Sequence, residues 1–280
     1  MMKILSLNCH CGIKTLRIFA SVATALIITF TFTGNAGADE NVFPFHAGEK
    51  LVFEARWGFI PAGEAVLEVL PAEAVSGVKS CHFVMTARTY PFIDLFYKVR
   101  DRIDSYADLG MTHSILYKKR KRGRGKKDVV VDFNWGKRVA RYSKNGKKRR
   151  LISILPGSFD PLSVFYAFRI HELKEGLVIK VPVTDGKKCV MGMARVIKRE
   201  KISVDSRTYD TYLVEPDLEH IGGVFEKSKN ARLQIWVTAD KRRIPVRIKS
   251  KVIVGSFVGE LISAEGTGQG LSLPAKKRTL

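Results

Sequence analysis

Hydrophobic and polar residues alternate with a period of two through most of the chain. Over Glu49–Trp57, Leu51, Phe53, Ala55 and Trp57 fall on one side and Glu54 and Arg56 on the other. Ala65, Leu67 and Val69 repeat the pattern against Glu64 and Glu68. Farther on, Leu233, Ile235 and Val237 alternate with Arg232, Gln234 and Thr238, and Val246, Ile248 and Ser250 with Arg247, Lys249 and Lys251. A turn at Ala239-Asp240-Lys241 separates these two runs. Such patterning predicts half-buried antiparallel strands. Further strands are predicted near 79–89, 96–106, 112–121, 128–134, 138–144, 149–154, 178–184, 188–199, 201–215 and 257–264, with turns at Gly136, Asn145-Gly146 and Asp185-Gly186.

One helix interrupts the series. Asp160 is an N-cap and Pro161 suits the first helical position. Leu162, Phe165, Tyr166, Arg169 and Leu173 follow at helical spacing, and Gly176 is the stop. The expected fold is mainly β: a strongly curved antiparallel sheet or open barrel with one helix packed in or across its mouth. No composition shift divides the chain, so residues 39–265 are expected to form a single β-rich domain. Residues 266–280 are expected to be a flexible tail.

The first 38 residues follow a different pattern. Lys3, Lys14 and Arg17 precede an apolar run from Ile18 to Thr33, and Ala36-Gly37-Ala38 supplies small residues before Asp39 and Glu40. This is the arrangement of a secretory signal peptide cleaved between Ala38 and Asp39. The run is short for a membrane span, which disfavours an uncleaved anchor. The mature protein is therefore expected in the periplasm, soluble or peripheral to a membrane.

Charge then singles out one region. The chain holds 48 Lys and Arg against 27 Asp and Glu, and residues 118–150 alone hold 16 against two. Lys118, Lys119, Arg120, Lys121, Arg122, Arg124, Lys126 and Lys127 are expected at a hairpin tip, and Lys147, Lys148, Arg149 and Arg150 at the next turn. One reading is a solvated surface. The other is contact with an anionic lipid or envelope polymer, each basic residue near a lipid surface contributing about 1 kcal/mol. Nucleic acid is not the expected partner, because the run lacks interleaved aromatics to stack bases and the compartment holds little of it. The aromatic segment Tyr90–Tyr97 either closes one end of the core, the favoured reading, or inserts at a lipid interface.

Catalytic signatures are missing. The chain has no G-x-S-x-G elbow, no H-E-x-x-H and no Walker loop. His171 and Glu175, four apart on the predicted helix, share one of its faces, but this pairing reads more naturally as a solvated ion pair than as a metal site. Asp101 and Asp104 point to opposite faces of a strand and do not form an acid–base pair. No metal or cofactor is expected, and no enzymatic activity. Cys81 and Cys189, the two cysteines of the mature chain, form either one disulfide or two separate thiols.

Several stretches together resemble the bacterial envelope family known as domain of unknown function 3108. They are Phe45-x-Ala47-Gly48-Glu49-x-Leu51 with Trp57-Gly58 and Ala62-Gly63; Tyr97-x-Val99-x-Asp101 with Ser105; Asp160-x-Leu162-Ser163 with Tyr166 and Arg169; and Ile235-Trp236-Val237-Thr238 with Asp240 and Pro245-Val246. The resemblance spans nearly all of residues 43–264. It implies an exported β-rich domain with one helix, similar in shape to the curved-sheet carriers that shuttle lipoproteins across the periplasm. It implies no catalytic residue. The expected function is that of a non-enzymatic envelope protein binding a lipid-like or other envelope ligand. The alternatives are a scaffold for a protein or cell-wall polymer and, third, a hydrolase.

Overall fold

A computed structural model of the chain describes residues 43–123, 125–217, 232–252 and 255–268. The expectations for the signal segment with Ala38 and Asp39, for Arg124 and for the tail beyond residue 268 lie outside them. The described residues belong to one compact unit, Asn41–Leu280.

Among the described residues, fourteen strands form one antiparallel sheet that does not close on itself. The strands β1 (Lys50–Trp57), β2 (Ile60–Val75), β3 (Val78–Thr89), β4 (Val99–Asp108), β5 (Ser114–Gly123), β6 (Lys127–Asn134), β7 (Val139–Lys144) and β8 (Lys147–Ser153) form a meander. A second meander comprises β9 (Val178–Thr184), β10 (Cys189–Val204), β11 (Arg207–Pro216), β12 (Arg232–Thr238), β13 (Pro245–Val252) and β14 (Gly255–Glu265). It joins the first through the β1–β14 ladder, which leaves β8 and β9 as edges. Because directions alternate, the turns after β1, β3, β5, β7 and β13 share one end of the sheet, called here the upper rim.

Period two sets the faces. On β6, Val129, Val131 and Phe133 are buried while Asp132 and Asn134 are exposed. The predicted Asn145-Gly146 turn has φ of 50° and 74°, the two left-handed residues that match strand twist. Two boundaries differ from the sequence reading. The β10–β11 turn falls at Asp205-Ser206, not near residue 200, because Asp205 takes the left-handed φ of 52° that lets the chain reverse. Residues 91–94, which fall between the strands predicted near 79–89 and 96–106, form a short helix, α1 (Pro91–Asp94), whose Asp94 is held by Arg100 at 2.6 Å.

The main helix, α2 (Ser163–Ile170), lies between β8 and β9 in the chain and is shorter than predicted. His171 is already extended (φ −72°, ψ 139°), so Leu173 and Gly176 fall beyond the helix. Asp160 still acts as the cap: its Oδ1 accepts the N–H groups of Leu162 and Ser163 at 2.8 and 3.0 Å. Tyr166 stacks on Phe83 of β3 at 4.0 Å between centroids, with Phe45 edge-on at 5.2 Å. Just before α2, Phe159 bridges to Val183 of β9 and satisfies part of that open edge. No helix among the described residues is long and apolar enough to cross a membrane.

Candidate functional site: an apolar cleft beside inward-facing lysines

α2 has two working sides. Ser163, Tyr166, Ala167 and Arg169 are buried toward the main core. Val164, Phe165 and Phe168 instead form one wall of a cleft whose other walls come from β9, β10, β11 and β12. The cleft has a volume of about 240 Å³, and only four of its twenty-one lining residues, Thr184, Asp185, Lys188 and Asp217, carry polar side chains. Small-ligand sites usually measure about 300–1,000 Å³, so this one suits a slender apolar group. A second hollow of about 420 Å³ lies over β1, β2 and β14. Its charges are largely matched to one another, as in Arg88–Glu64 and Arg247–Glu260.

Lys188 and Asp185 come from the β9–β10 hairpin, whose tip rests on β6 and β7. At Gly186 (φ +85°) a Cβ would come within 2.7 Å of Val131 and 3.0 Å of Tyr142, so only glycine permits this approach. The hairpin thereby brings Lys187 beside the basic strands, and Arg150 of β8 donates to the Lys187 carbonyl at 3.0 Å.

The basic residues divide by face. Lys118–Lys121 fall in β5, as the strand predicted near 112–121 has it, and pairing with β4 carries that strand past Arg122 to Gly123, so these residues form the strand body and not the hairpin tip. The two-residue alternation turns Lys119 and Lys121 inward with Tyr117, and Lys118, Arg120 and Arg122 outward. Lys127, at the head of β6, shares the inner side with Val129 and Val131. Burial, and after it the charge of Lys121, pushes the Lys119 ammonium pKa down. Burial followed by Lys187, Lys144 and Lys121 does the same to Lys127. Two acids answer this group, Asp101 at 3.5 Å from Lys121 and Asp185 at 3.3 Å from Lys187. Outside, Arg120 lies 3.7 Å from Asp104, and Arg122 pairs with Asp128 at 2.7 Å. Lys126, Lys147, Lys148, Arg149 and Arg150 are exposed.

The nearest approach to acid–base machinery is His82, whose ring nitrogens lie 3.0 Å from Glu73 and 3.3 Å from Asp104. Asp104 is committed to Arg102: burial raises its pKa, but hydrogen bonds from Arg102 and His82 hold the carboxyl below its usual range. His171 sits at the end of α2, and Glu175 accepts the backbone N–H of Arg199 at 2.7 Å, so these two form no helical pair. Among the described residues, no three His, Cys, Asp or Glu side chains gather into a metal site. Cys81 and Cys189 are free thiols, so the disulfide their number permits is not formed. Cys189 contacts the Ser158 hydroxyl at 3.3 Å, while Cys81 is held on β3 opposite Ala107.

Comparison with known proteins adds the family. The family described as "Protein of unknown function (DUF3108)" matches residues 52–262. The chain belongs to the DUF3108 family. A curated-protein comparison finds no match. Among solved structures, this DUF3108 chain shares its fold with a beta-barrel-like protein of domain of unknown function DUF1849 from Brucella abortus. The TM-score is 0.50 at 11% identity, over 79% of this chain and 98% of that one. A Bacteroides fragilis protein described as exported, with a YmcC-like fold, matches with TM-score 0.34 at 7% identity over 79% and 97% of the chains. A Parabacteroides distasonis protein described as a lipoprotein matches with TM-score 0.33 at 11% identity over 79% and 97%.

Two polar centres that shape the cleft wall were not foreseen from sequence. Arg169 of α2 is fully buried against Glu49, with bonds of 2.6 and 2.9 Å. Asp160, also fully buried, gathers the hydroxyls of Ser105 and Ser114 at 2.7 and 2.6 Å. Asp160 was read only as the helix cap and Arg169 only as a helix-face position, and nothing in a single sequence pairs residues 120 apart.

Proposed function

We propose that this DUF3108 protein is an exported, non-enzymatic protein of the cell envelope that holds an anionic amphiphile. The apolar chain lies in the cleft between α2 and β9–β12, and the charged head meets the lysines at the tip of the β9–β10 hairpin. The observation that carries the reading is the cleft itself, apolar along its walls, with Lys188 among the few polar side chains that line it beside Thr184, Asp185 and Asp217. Burying an alkyl chain there gains roughly 0.8 kcal/mol per methylene. Export is supported by the tripartite segment that ends at Ala38, and a periplasmic location fits it.

The test is displacement of a fluorescent fatty acid. Met193 lines the cleft and is half-buried, so Met193→Glu places a carboxylate against the alkyl chain. Binding is expected to weaken at least about tenfold, since a charge facing an apolar chain is poorly solvated. Lys188→Gln should lower affinity for the acid but not for the matching alcohol. Equal binding by wild type and Met193→Glu rules out the cleft as the site.

The inward lysines add a second expectation. Lys119 has a folded-state pKa below its unfolded value, so the unfolded chain holds the proton more tightly. Stability must therefore rise as pH climbs through the folded pKa, and at neutral pH the crowded charges cost stability. Lys119→Met should raise the urea midpoint at pH 7. Inorganic pyrophosphate should raise the wild-type midpoint more than the variant's. A lower midpoint in the variant would mean that Lys119 stabilises the fold and is not held in reserve for an anion.

A further inference from the structure

Exposed aromatic side chains are confined to one end of the sheet. Among the described residues these are Trp57, Phe59, Phe92, Phe96, Tyr97 and Phe257, and all six belong to the upper rim. Phe59, at the β1–β2 turn, is 95% exposed, and Leu95 beside Phe96 is 79% exposed. Their turns are neighbours, because the strand order runs β4-β3-β2-β1-β14-β13. Trp57 stacks on Phe257 at 6.4 Å, Phe92 meets Phe96 at 5.8 Å, and the Tyr90 N–H donates to the Ala62 carbonyl at 3.0 Å. Nothing among the described residues covers this aromatic edge, and large exposed apolar surface of this kind marks an interaction site.

The next turns along the same rim carry cations. Lys98 closes the aromatic loop, Lys126 lies in the β5–β6 turn, and Lys144, Lys147 and Lys148 flank the β7–β8 turn. All five are exposed, and the local ion pairs, Lys121–Asp101 and Arg122–Asp128, leave them out. The opposite rim differs: its turns carry charges of both signs, Asp108, Asp205 and Asp240 beside Lys137, Arg138 and Lys241, and among the described residues no exposed aromatic.

We infer that the upper rim docks on a bilayer containing anionic phospholipid. Trp57, Phe59, Phe92 and Phe96 enter the interface, where aromatic rings are best accommodated, and the adjacent lysines lie against the headgroups. The charge complementarity selects a lipid surface over an apolar protein partner, since long lysines reach headgroups while their stems cover apolar area. This inference does not depend on the cleft holding a ligand.

The chain supplies its own probe. Of three tryptophans, Trp236 is buried and Trp135 lies at the opposite rim, its N–H bonded to the Ser114 carbonyl at 2.9 Å. Trp57 alone faces the proposed bilayer. Mature protein is mixed with phosphatidylcholine vesicles, with and without phosphatidylglycerol, whose acyl chains are brominated. Quenching is expected only with phosphatidylglycerol present, and Trp57→Phe should abolish it. Phe92→Ser/Phe96→Ser should weaken vesicle binding roughly tenfold or more. Lys126→Gln, Lys147→Gln and Lys148→Gln should each weaken it up to about fivefold, and less at high salt. Circular dichroism checks that each variant folds. Binding without quenching, binding indifferent to phosphatidylglycerol, or no binding by the folded wild type would each overturn the inference. Met193→Glu should quench like wild type, which separates failure of the rim from failure of the cleft.

Discussion

Replacing Arg169 with alanine is expected to lower the unfolding free energy by about 3–5 kcal/mol, the usual loss when one partner of a buried ion pair is removed. Arg169 is fully buried and Glu49 is 2% exposed, so the carboxylate left behind has no route to water. The guanidinium also donates to the carbonyls of Pro44 and Arg242 at 3.2 and 2.9 Å. It lies 5.5 Å from the rings of Phe45 and Tyr166 as well. One side chain thus ties α2 to the segment before β1 and to the β12–β13 turn. Because α2 also presents Phe165 and Phe168 to the cleft, the variant should lose fatty-acid binding along with stability. The paired change Glu49→Leu/Arg169→Met should recover most of the loss, since apolar groups of similar size remove the need for compensation. Urea denaturation reads both variants. A loss for Arg169→Ala below about 1 kcal/mol, as for a surface pair, would mean that water reaches Glu49.

The strands were legible in the sequence because one sheet face is buried. Alternation marks Leu51 and Phe53, or Val129, Val131 and Phe133, without knowledge of what they touch. The same rule misled at strand ends. Trp57 continues the apolar side of β1, yet it is 49% exposed, because the pattern reports a face and not how far the core extends along it. On β5, apolar alternation stops at Tyr117, which placed Lys118–Arg122 toward a hairpin tip although a strand was expected to residue 121; pairing with β4 continues to Gly123. Leu173 fell at helical spacing but is buried in a separate cluster with Ile179, Val196, Val214 and Val237, beyond the end of α2. The cleft was not legible at all. Its walls are ordinary apolar strand positions, and only the placement of α2 against β9–β12 leaves space between them. Glu49 was hidden for the opposite reason: an acidic residue at a strand start reads as solvated until a distant arginine covers it.

Asp160→Ala should be the other strongly destabilising change, with a loss of about 4 kcal/mol when charged hydrogen bonds of about 1.5–3 kcal/mol are removed together with a cap. The Asp160 carboxylate organises the entry to α2 from both oxygens. Oδ1 accepts the backbone N–H groups of Leu162 and Ser163, and Oδ2 accepts the hydroxyls of Ser105 on β4 and Ser114 on β5. Ser105 also contacts the Ser163 hydroxyl at 2.6 Å, and the Asp160 N–H is itself bonded to the Ser114 hydroxyl at 2.8 Å. Ser105, Ser114, Asp160 and Ser163 are all fully buried, so alanine strands several polar groups where water does not reach them. Asp160→Asn is the informative companion. Its amide oxygen keeps the cap, and the serine hydroxyls can rotate to accept from its NH₂ group, so the loss should fall to roughly 1–2 kcal/mol. The order wild type, Asn, Ala in urea midpoints supports a hydrogen-bonded hub. Equal losses for the two variants would instead make the negative charge itself the stabilising element. Ser114→Ala alone, which removes one bond to the carboxylate and leaves the Asp160 N–H without its acceptor, should cost about 2–3 kcal/mol.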